Sequence, residues 1–216
     1  MGHLPCAHPS TMRTLSSTAA ASPASTRERI VAFADRLFYE RGYEHTSFAD
    51  IAQAVKLSRG NFYYHFKTKD DILSAVLAHR TAQTQAMLDT WSAQAPTPQA
   101  RIGRFVHLMV SNGGQIRQHG CPVGTLCAEL SQLQHPAQAQ ARELFTLFRN
   151  WLARQFADMG AGPKADSLAM HLLSRSQGIA TLAQAFNDEG FLHQEVALLL
   201  KWLHDTSVSI HTPHGD

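Results

Sequence analysis

Apolar residues recur at helical spacing along most of the chain, and this period limits the fold more than any other feature of the sequence. Runs in which apolar and polar residues alternate, as in half-buried strands, are nearly absent. The segment 26–41, which ends before Gly42, has an amphipathic face formed by five residues: Ile30, Phe33, Ala34, Leu37 and Phe38. We therefore predict an all-α fold of about nine helices.

Helix-start signals divide the next part of the chain into short helices. Two pairs have the spacing of a capping box, Ser47 with Asp50 and Thr68 with Asp71. Ser58 is a further residue of the N-cap type, and only the sequence Lys-Leu-Ser separates the second helical pattern from the third. Three helices with such a turn between the last two form a helix-turn-helix arrangement.

The rest of the chain keeps the helical period beyond a loop at AQAPTP. Further breaks occur at HGCPVG, HP, GAGPK and NDEG, all of which have turn chemistry. We expect helices over 99–118, 122–133, 135–159, 164–188 and 192–209. Apolar stripes on the last two helices should pack on each other, and a second copy of the chain should cover any apolar surface that remains.

The third helix, within the sequence SRGNFYYHF, combines apolar rings with polar groups. Phe62 and Phe66 are four residues apart and can share one buried face. The surrounding segment has no acid between Ile51 and Lys69, and its basic residues are Lys56, Arg59, Lys67 and Lys69. Arg and Asn match base edges in the major groove, and Tyr and His reach phosphates. The pattern predicts a DNA-binding helix; an ordinary surface helix is the alternative.

The sequence TRERIVAFADRLFYERGYEHTSFADIAQAVKLSRGNFYYHFKTKDDIL, residues 26–73, resembles the DNA-binding domain of the tetracycline-repressor (TetR) family. The resemblance implies a following helical domain that binds a small effector and forms a homodimer through its last two long helices. It thus divides the chain into a helix-turn-helix domain (26–72) and an effector-binding and dimerisation domain (73–209). Composition sets the two ends: residues 1–25, rich in Ser, Thr, Ala and Pro, are expected to be a disordered arm, and residues 210–216, which contain Pro and Gly, a tail.

The resemblance also implies roles for individual residues in binding double-stranded DNA. Arg59, Gly60 and Tyr63 would approach bases, Asn61 and Tyr64 would lie close to bases or backbone, and Ser47, Ser58, His65 and Lys69 would hold phosphates. Lys67 adds a basic group beside them. Lys56 departs from the family pattern, since many members have glycine in this turn; a lysine there is either strained or an additional phosphate contact.

The predicted helices after residue 98 supply candidates for an effector pocket. They are Phe105, His107, Met109, Cys121, Cys127, Phe145, Phe148 and Trp151. For the aromatic and Met residues, an ordinary core position is the alternative. The family's pocket linings vary, so the resemblance assigns no role to any of them.

Cys121 has a particular position among these candidates. Pro122 suits the first position of a helix, which makes Cys121 the expected N-cap. Unpaired N–H groups in a first helical turn stabilise a thiolate. We hypothesise that oxidants or electrophiles modify Cys121 and release the protein from DNA; a small buried cysteine is the alternative. Cys127 lies about 9 Å further along the helix axis, so a disulfide within this helix is not expected.

Composition excludes several other classes of protein. Net charge is only +2, so affinity for DNA must come from local charge. Three cysteines favour a reducing, cytoplasmic setting, and no apolar run approaches the roughly 20 residues of a membrane span. The thirteen histidines lack metal-binding spacings, and the common catalytic and nucleotide-binding motifs are absent. We expect no catalytic residue, no metal and no cofactor.

The direction of control is not encoded in these patterns. A repressor is the default because a protein bound at a promoter excludes polymerase. An activator and a DNA-binding protein without an effector are the alternatives, and an enzyme is the alternative from another class. Met1 and Met12 are the alternatives for the first residue of the protein.

Overall fold

The computed structural model describes residues 25–211, and within this range the chain forms ten α-helices, a short 3-10 turn and no strand. The helices are α1 (Thr26–Arg41), α2 (Phe48–Ala54), α3 (Arg59–His65), α4 (Lys69–Gln94), α5 (Pro98–Ser111), α6 (Gly113–His119), α7 (Pro122–Gln132), α8 (Gln138–Asp158), α9 (Ala165–Phe186) and α10 (Glu189–His211). The all-α class is confirmed. Residues 1–24 of the expected arm and 212–216 of the expected tail lie outside the described residues.

Asn112 divides the region in which the sequence predicts one helix over 99–118. The chain leaves α5 at Ser111 and enters α6 at Gly113. The sequence Asn-Gly-Gly at this point has turn chemistry, so the break has a local cause. The region therefore contributes two helices to the fold.

Capping boxes start three of the first four helices, as the sequence predicts for α2 and α4. The Ser47 Oγ accepts from the Asp50 N–H at 3.1 Å, and the Ser47 N–H donates to the Asp50 carboxylate at 2.8 Å. Thr68 and Asp71 repeat this exchange at 3.0 and 2.9 Å. The bonds from Ser47 and Thr68 lower the pKa values of the two carboxyl groups. Ser25 caps α1 in the same way.

The core of the helix-turn-helix includes residues from the C-terminal half of the chain. Phe62 and Phe66 are buried in it beside Leu37 and Ile51, as the spacing predicts. The same core contains four residues of α7 and α8: Leu126, Leu130, Ala141 and Leu144. The helix-turn-helix is thus built onto α7 and α8 and does not have a core of its own.

A second core holds the C-terminal helices together. α8 packs on α9, α4 and α5, and α10 packs on α5 and α9. Trp151 of α8 is buried there, with its indole N–H donating to the Ser92 Oγ at 3.1 Å. Two ion pairs at the surface connect these helices: Arg149 of α8 with Asp166 of α9 at 2.6 Å, and Arg175 of α9 with Glu195 of α10 at 2.8 Å. Among residues 25–211, no helix combines the length and apolar character needed to cross a membrane.

Candidate nucleic-acid interface and adjoining cavity

Helix α3 has one apolar side against the core and one polar side in solvent. Phe62 is fully buried, whereas Tyr63 and Tyr64 are 37% and 79% exposed. The other exposed members of the predicted DNA-binding set in this region are Lys56, Ser58, Arg59, Gly60, Asn61 and Lys67. The structure therefore brings most of the predicted residues together on one surface.

Tyr63 is held between two other side chains of this surface. Its ring centroid lies 5.0 Å from that of Phe48, and the Arg59 guanidinium carbon lies 5.9 Å from the Tyr63 ring. Phe48 in turn packs edge-on against Phe62 at 4.7 Å. The aromatic contacts join the exposed face of α3 to its buried face, which limits the positions available to Tyr63.

Two lysines near α3 already have partners within the protein. The Lys67 ammonium donates to the Tyr63 carbonyl oxygen at 2.6 Å, at the C-terminal end of the helix. The Lys69 ammonium donates to the Tyr43 carbonyl oxygen at 3.0 Å and lies 4.1 Å from the centroid of the Tyr43 ring. Lys69 is half-buried, so its ammonium is less available to a phosphate than that of Lys67.

Lys56 has a left-handed backbone conformation, with φ of 53°. This region favours glycine, because a Cβ approaches the following carbonyl oxygen. The family's preference for glycine in this turn therefore has a conformational cause. The lysine is strained, and its side chain is also exposed beside α3, so the two explanations suggested by the sequence are compatible.

Ser47, Ser58 and His65 differ in how freely they could meet a phosphate. The Ser47 hydroxyl donates to the Asp50 carboxylate at 2.6 Å. The Ser58 Oγ accepts from the Asn61 N–H at 3.4 Å. His65 is half-buried, with its ring 5.2 Å from that of Tyr64. Of the three, Ser58 has the weakest internal contact.

A cavity of about 530 Å³ lies where α1 meets the C-terminal helices. Five of the predicted pocket residues line it: Phe105, Met109, Cys121, Phe145 and Phe148. His107 does not, because it is exposed on α5, and Trp151 does not, because it is buried in the second core. Cys127 lines a different cavity of about 580 Å³, which shares Cys121, Phe145 and Gln177 with the first.

The polar end of the first cavity is formed by residues that the sequence analysis did not select. Arg80 is buried; its Nε and Nη2 each lie 2.6 Å from the Asp35 Oδ1, and its Nη1 donates to the Pro122 carbonyl oxygen at 2.6 Å. The Tyr39 hydroxyl donates to the Gly120 carbonyl oxygen at 2.8 Å, and burial raises the pKa of Tyr39 to about 12. These contacts tie α1 to the turn before α7.

Cys121 is the N-cap of α7, as predicted. Its Sγ accepts from the Gly124 N–H at 3.5 Å and from the Gln177 side-chain amide at 3.5 Å. Cys121 and Cys127 are both free thiols. Burial raises the pKa of Cys127 to about 11, which keeps that thiol protonated and unreactive at neutral pH.

A helix-turn-helix with an outward polar helix, mounted on a helical domain, defines the chain as a DNA-binding transcription regulator. Comparison with protein families supports this class for both the N-terminal and the C-terminal part of the chain. Residues 30–76 match the family described as bacterial regulatory proteins, tetR family, and residues 98–197 match the C-terminal domain of LmrA/YxaF-like transcriptional regulators. The chain belongs to the TetR family and is a regulator, not an enzyme.

Individual relatives agree with this assignment. An uncharacterized helix-turn-helix regulator from the lacX 3′ region of Lactococcus lactis is 27% identical over 179 residues, which cover 81% of this chain and 91% of the relative. The transcriptional repressor DhaR of Mycobacterium sp. GP1 is 28% identical over 128 residues, covering 58% and 61%. A TetR regulator of known structure from Legionella pneumophila has a TM-score of 0.73 at 27% identity, covering 85% and 97%.

Proposed function

We propose that the protein is a repressor that binds an inverted-repeat operator as a homodimer and is released by a small effector. The observation that carries this proposal is the polar face of α3, exposed on a helix-turn-helix whose core includes α7 and α8. Repression is favoured because a bound dimer blocks polymerase and because the relative DhaR is described as a repressor. Such a protein acts in the cytoplasm, where the bacterial chromosome lies.

The residues of the α3 surface divide into two roles. Arg59, Gly60 and Tyr63 approach bases, and Asn61 and Tyr64 lie beside them, because these are the exposed positions of the helix. The phosphate contacts come from the flanking groups, which are Ser47, Lys56, Ser58, His65, Lys67 and Lys69. Lys69 ranks below Lys67 because its ammonium lies against Tyr43.

Exposed apolar side chains on the last two helices support dimerisation. Leu182 and Phe186 of α9 are 44% and 72% exposed, and Leu198 of α10 is 47% exposed. Residues of this kind, repeated on adjacent helices, are typical of a surface that a second subunit covers. Two α3 helices related by a twofold axis would enter major grooves about 34 Å apart. We expect Phe186→Glu to convert the dimer to a monomer in light-scattering measurements, with helical content unchanged.

The cavity between α1 and the C-terminal helices has the size and lining of an effector pocket. Its volume is typical of small-molecule sites. Most of its lining is apolar, and the buried Arg80 at its polar end is already neutralised by Asp35. A charged ligand would find no uncompensated partner in this pair, and the other arginine of the lining, Arg36, is exposed and lies 3.9 Å from the Glu40 carboxylate. The lining therefore favours an uncharged, mainly apolar molecule.

Cys121 offers a second route to release, because it lines the same cavity. Alkylation by N-ethylmaleimide adds a bulky group at the start of α7, next to the Pro122 carbonyl that Arg80 holds. We expect the reagent to dissociate the DNA complex of the wild type and not that of Cys121→Ser. Equal sensitivity of the two proteins would refute a role for this thiol.

A footprint on the DNA upstream of the protein's own gene tests the proposed function as a whole. We expect protection of an inverted repeat whose half-sites lie about one helical turn apart. A dimer that neutralises about 6–10 phosphates should lose roughly 10³–10⁵ in affinity between 50 and 200 mM salt. Arg59→Ala should reduce discrimination between this site and a scrambled duplex; equal loss on both duplexes would exclude base contact by Arg59.

A further inference from the structure

Glu129 of α7 reaches across to the loop that joins α1 to α2. One carboxylate oxygen, Oε2, accepts from the Tyr43 N–H at 2.9 Å, and the other, Oε1, accepts from the Glu44 N–H at 2.9 Å. The two partners are 86 and 85 residues away in the sequence. A single carboxylate of the C-terminal half therefore holds two successive backbone amides of the helix-turn-helix domain.

The loop is shaped to admit this carboxylate. Gly42 has φ of 87°, and a Cβ at this position would lie 2.9 Å from the Glu129 Oε1. Any other residue would therefore meet both a strained backbone and a close contact. Thr46 is fully buried, and its hydroxyl donates to the Gly42 carbonyl oxygen at 2.7 Å. The loop is thus fixed from both sides, immediately before the N-cap of α2.

The other end of α7 lies at the cavity. Cys121, Pro122 and Val123 all line it, and Glu129 is seven residues beyond Pro122, about 10 Å along the same helix. Leu126, between these two positions, and Leu130, directly after Glu129, pack in the core that holds Phe62 of α3. One continuous helix thus connects the cavity wall, the core beneath α3 and the loop before α2.

We propose that Glu129 is a positioning residue for DNA binding. By holding the amides of Tyr43 and Glu44, it fixes where α2 begins relative to α7, and α2 and the short turn after it determine the position of α3. This role depends on the DNA-binding function of the family and not on the identity of the effector. If no effector released the protein from DNA, the proposed role of Glu129 would still stand.

Two substitutions at Glu129 separate positioning from general stability. Glu129→Gln keeps one acceptor oxygen of similar shape, and Glu129→Ala removes both. Glu143→Gln, at an exposed carboxylate of α8, is the matched control. The DNA probes are a duplex selected by the wild-type protein from a random library and the same duplex with its sequence scrambled, so no operator has to be known beforehand.

A misplaced α3 should reduce affinity for the selected duplex more than affinity for the scrambled one, because diffuse phosphate attraction tolerates small shifts. We expect Glu129→Ala to lose about tenfold or more on the selected duplex, or roughly 1.4 kcal/mol, and less than about twofold on the scrambled one. Glu129→Gln should fall between wild type and Glu129→Ala. Hydrogen exchange should accelerate in the peptide containing Tyr43 and Glu44, and Glu143→Gln should match the wild type throughout.

The opposite results are equally clear. If both duplexes lose affinity by the same factor, Glu129 supports folding alone and the proposal is wrong. Wild-type affinity in Glu129→Ala would also overturn it. Should Glu129→Ala not fold, Glu129→Gln decides the question, since an unchanged ratio of the two affinities in that variant contradicts a positioning role.

Discussion

Gly60 is a position at which one substitution should change stability and DNA binding in opposite directions. It is the second residue of α3 and is exposed, and a Cβ built on it would meet no atom within 4 Å. The free protein therefore has room for alanine at this position. If the backbone here approaches DNA, the same methyl group would occupy space that the complex needs.

The expected magnitudes follow from helix propensity and from the geometry of close approach. Alanine is more favourable than glycine in a helix by roughly 0.5–1 kcal/mol. In a chain of this length, that corresponds to a rise in Tm of about 1–4 °C. A methyl group that separates the Gly60 backbone from a base or phosphate should cost at least about 1.4 kcal/mol of binding, or tenfold in affinity.

Gly114 provides a matched control for Gly60→Ala. It is the second residue of α6, which has seven residues like α3, and a Cβ there would also meet no atom within 4 Å. Gly114→Ala should raise Tm without changing affinity. Differential scanning calorimetry and fluorescence anisotropy with the footprinted duplex measure the two quantities. Unchanged affinity of Gly60→Ala would refute a close approach of α3 through this residue.

Three further perturbations test other parts of the structure. Lys56→Gly should raise the free energy of unfolding in urea by up to about 1 kcal/mol, because it relieves the left-handed backbone strain. The slope of log affinity against log salt for DNA binding should also decrease by the equivalent of about one phosphate contact per subunit. Asp50 and Asp71 have pKa values below their usual 3.8 in the folded protein. Their contribution to folding stability is therefore present above that value and is lost as pH falls below about 4. Urea titrations of the Asp50→Asn, Asp71→Asn double variant should show a weaker loss of stability in acid than those of the wild type. Asp35→Ala leaves the buried Arg80 without its carboxylate partner, although the bond to the Pro122 carbonyl oxygen remains. The change should cost about 2–3 kcal/mol of stability, less than for a fully buried pair because the Asp35 side chain is partly exposed. The double variant Asp35→Leu, Arg80→Met should recover most of this loss in thermal unfolding.

The helix-turn-helix could be predicted from sequence because its determinants are local. Capping boxes use residues three apart, and the shared buried face of Phe62 and Phe66 follows from a spacing of four. The Ser25–Glu28 box at the start of α1 and the Asn-Gly-Gly break at Asn112 carry signals of the same kind, although the periodic pattern alone did not reveal them.

The contacts between the helix-turn-helix and the C-terminal helices could not be predicted, because they pair residues far apart in the chain. Glu129 meets the loop after Gly42, and Arg80 meets Asp35 and the Pro122 carbonyl, with no local pattern that names these partners. Of these residues, only Arg80 has a signal in the sequence, because it continues the buried stripe of α4 at a position where an apolar residue would be expected. A buried cation of this kind indicates that a partner exists without identifying it.

The helix-turn-helix and the C-terminal helices, where we propose that the effector binds, are therefore not independent bodies joined by a hinge. The stripe of α4 that ends near Leu77 lies in the first core, whereas Leu88 of the same helix lies in the second. α8 behaves alike, with Leu144 in the first core and Phe148 in the second. A molecule entering the cavity would sit beside both helices and against α1. Because packed cores resist continuous deformation, its volume would have to be accommodated by movement of these shared helices, and the helix-turn-helix would move with them.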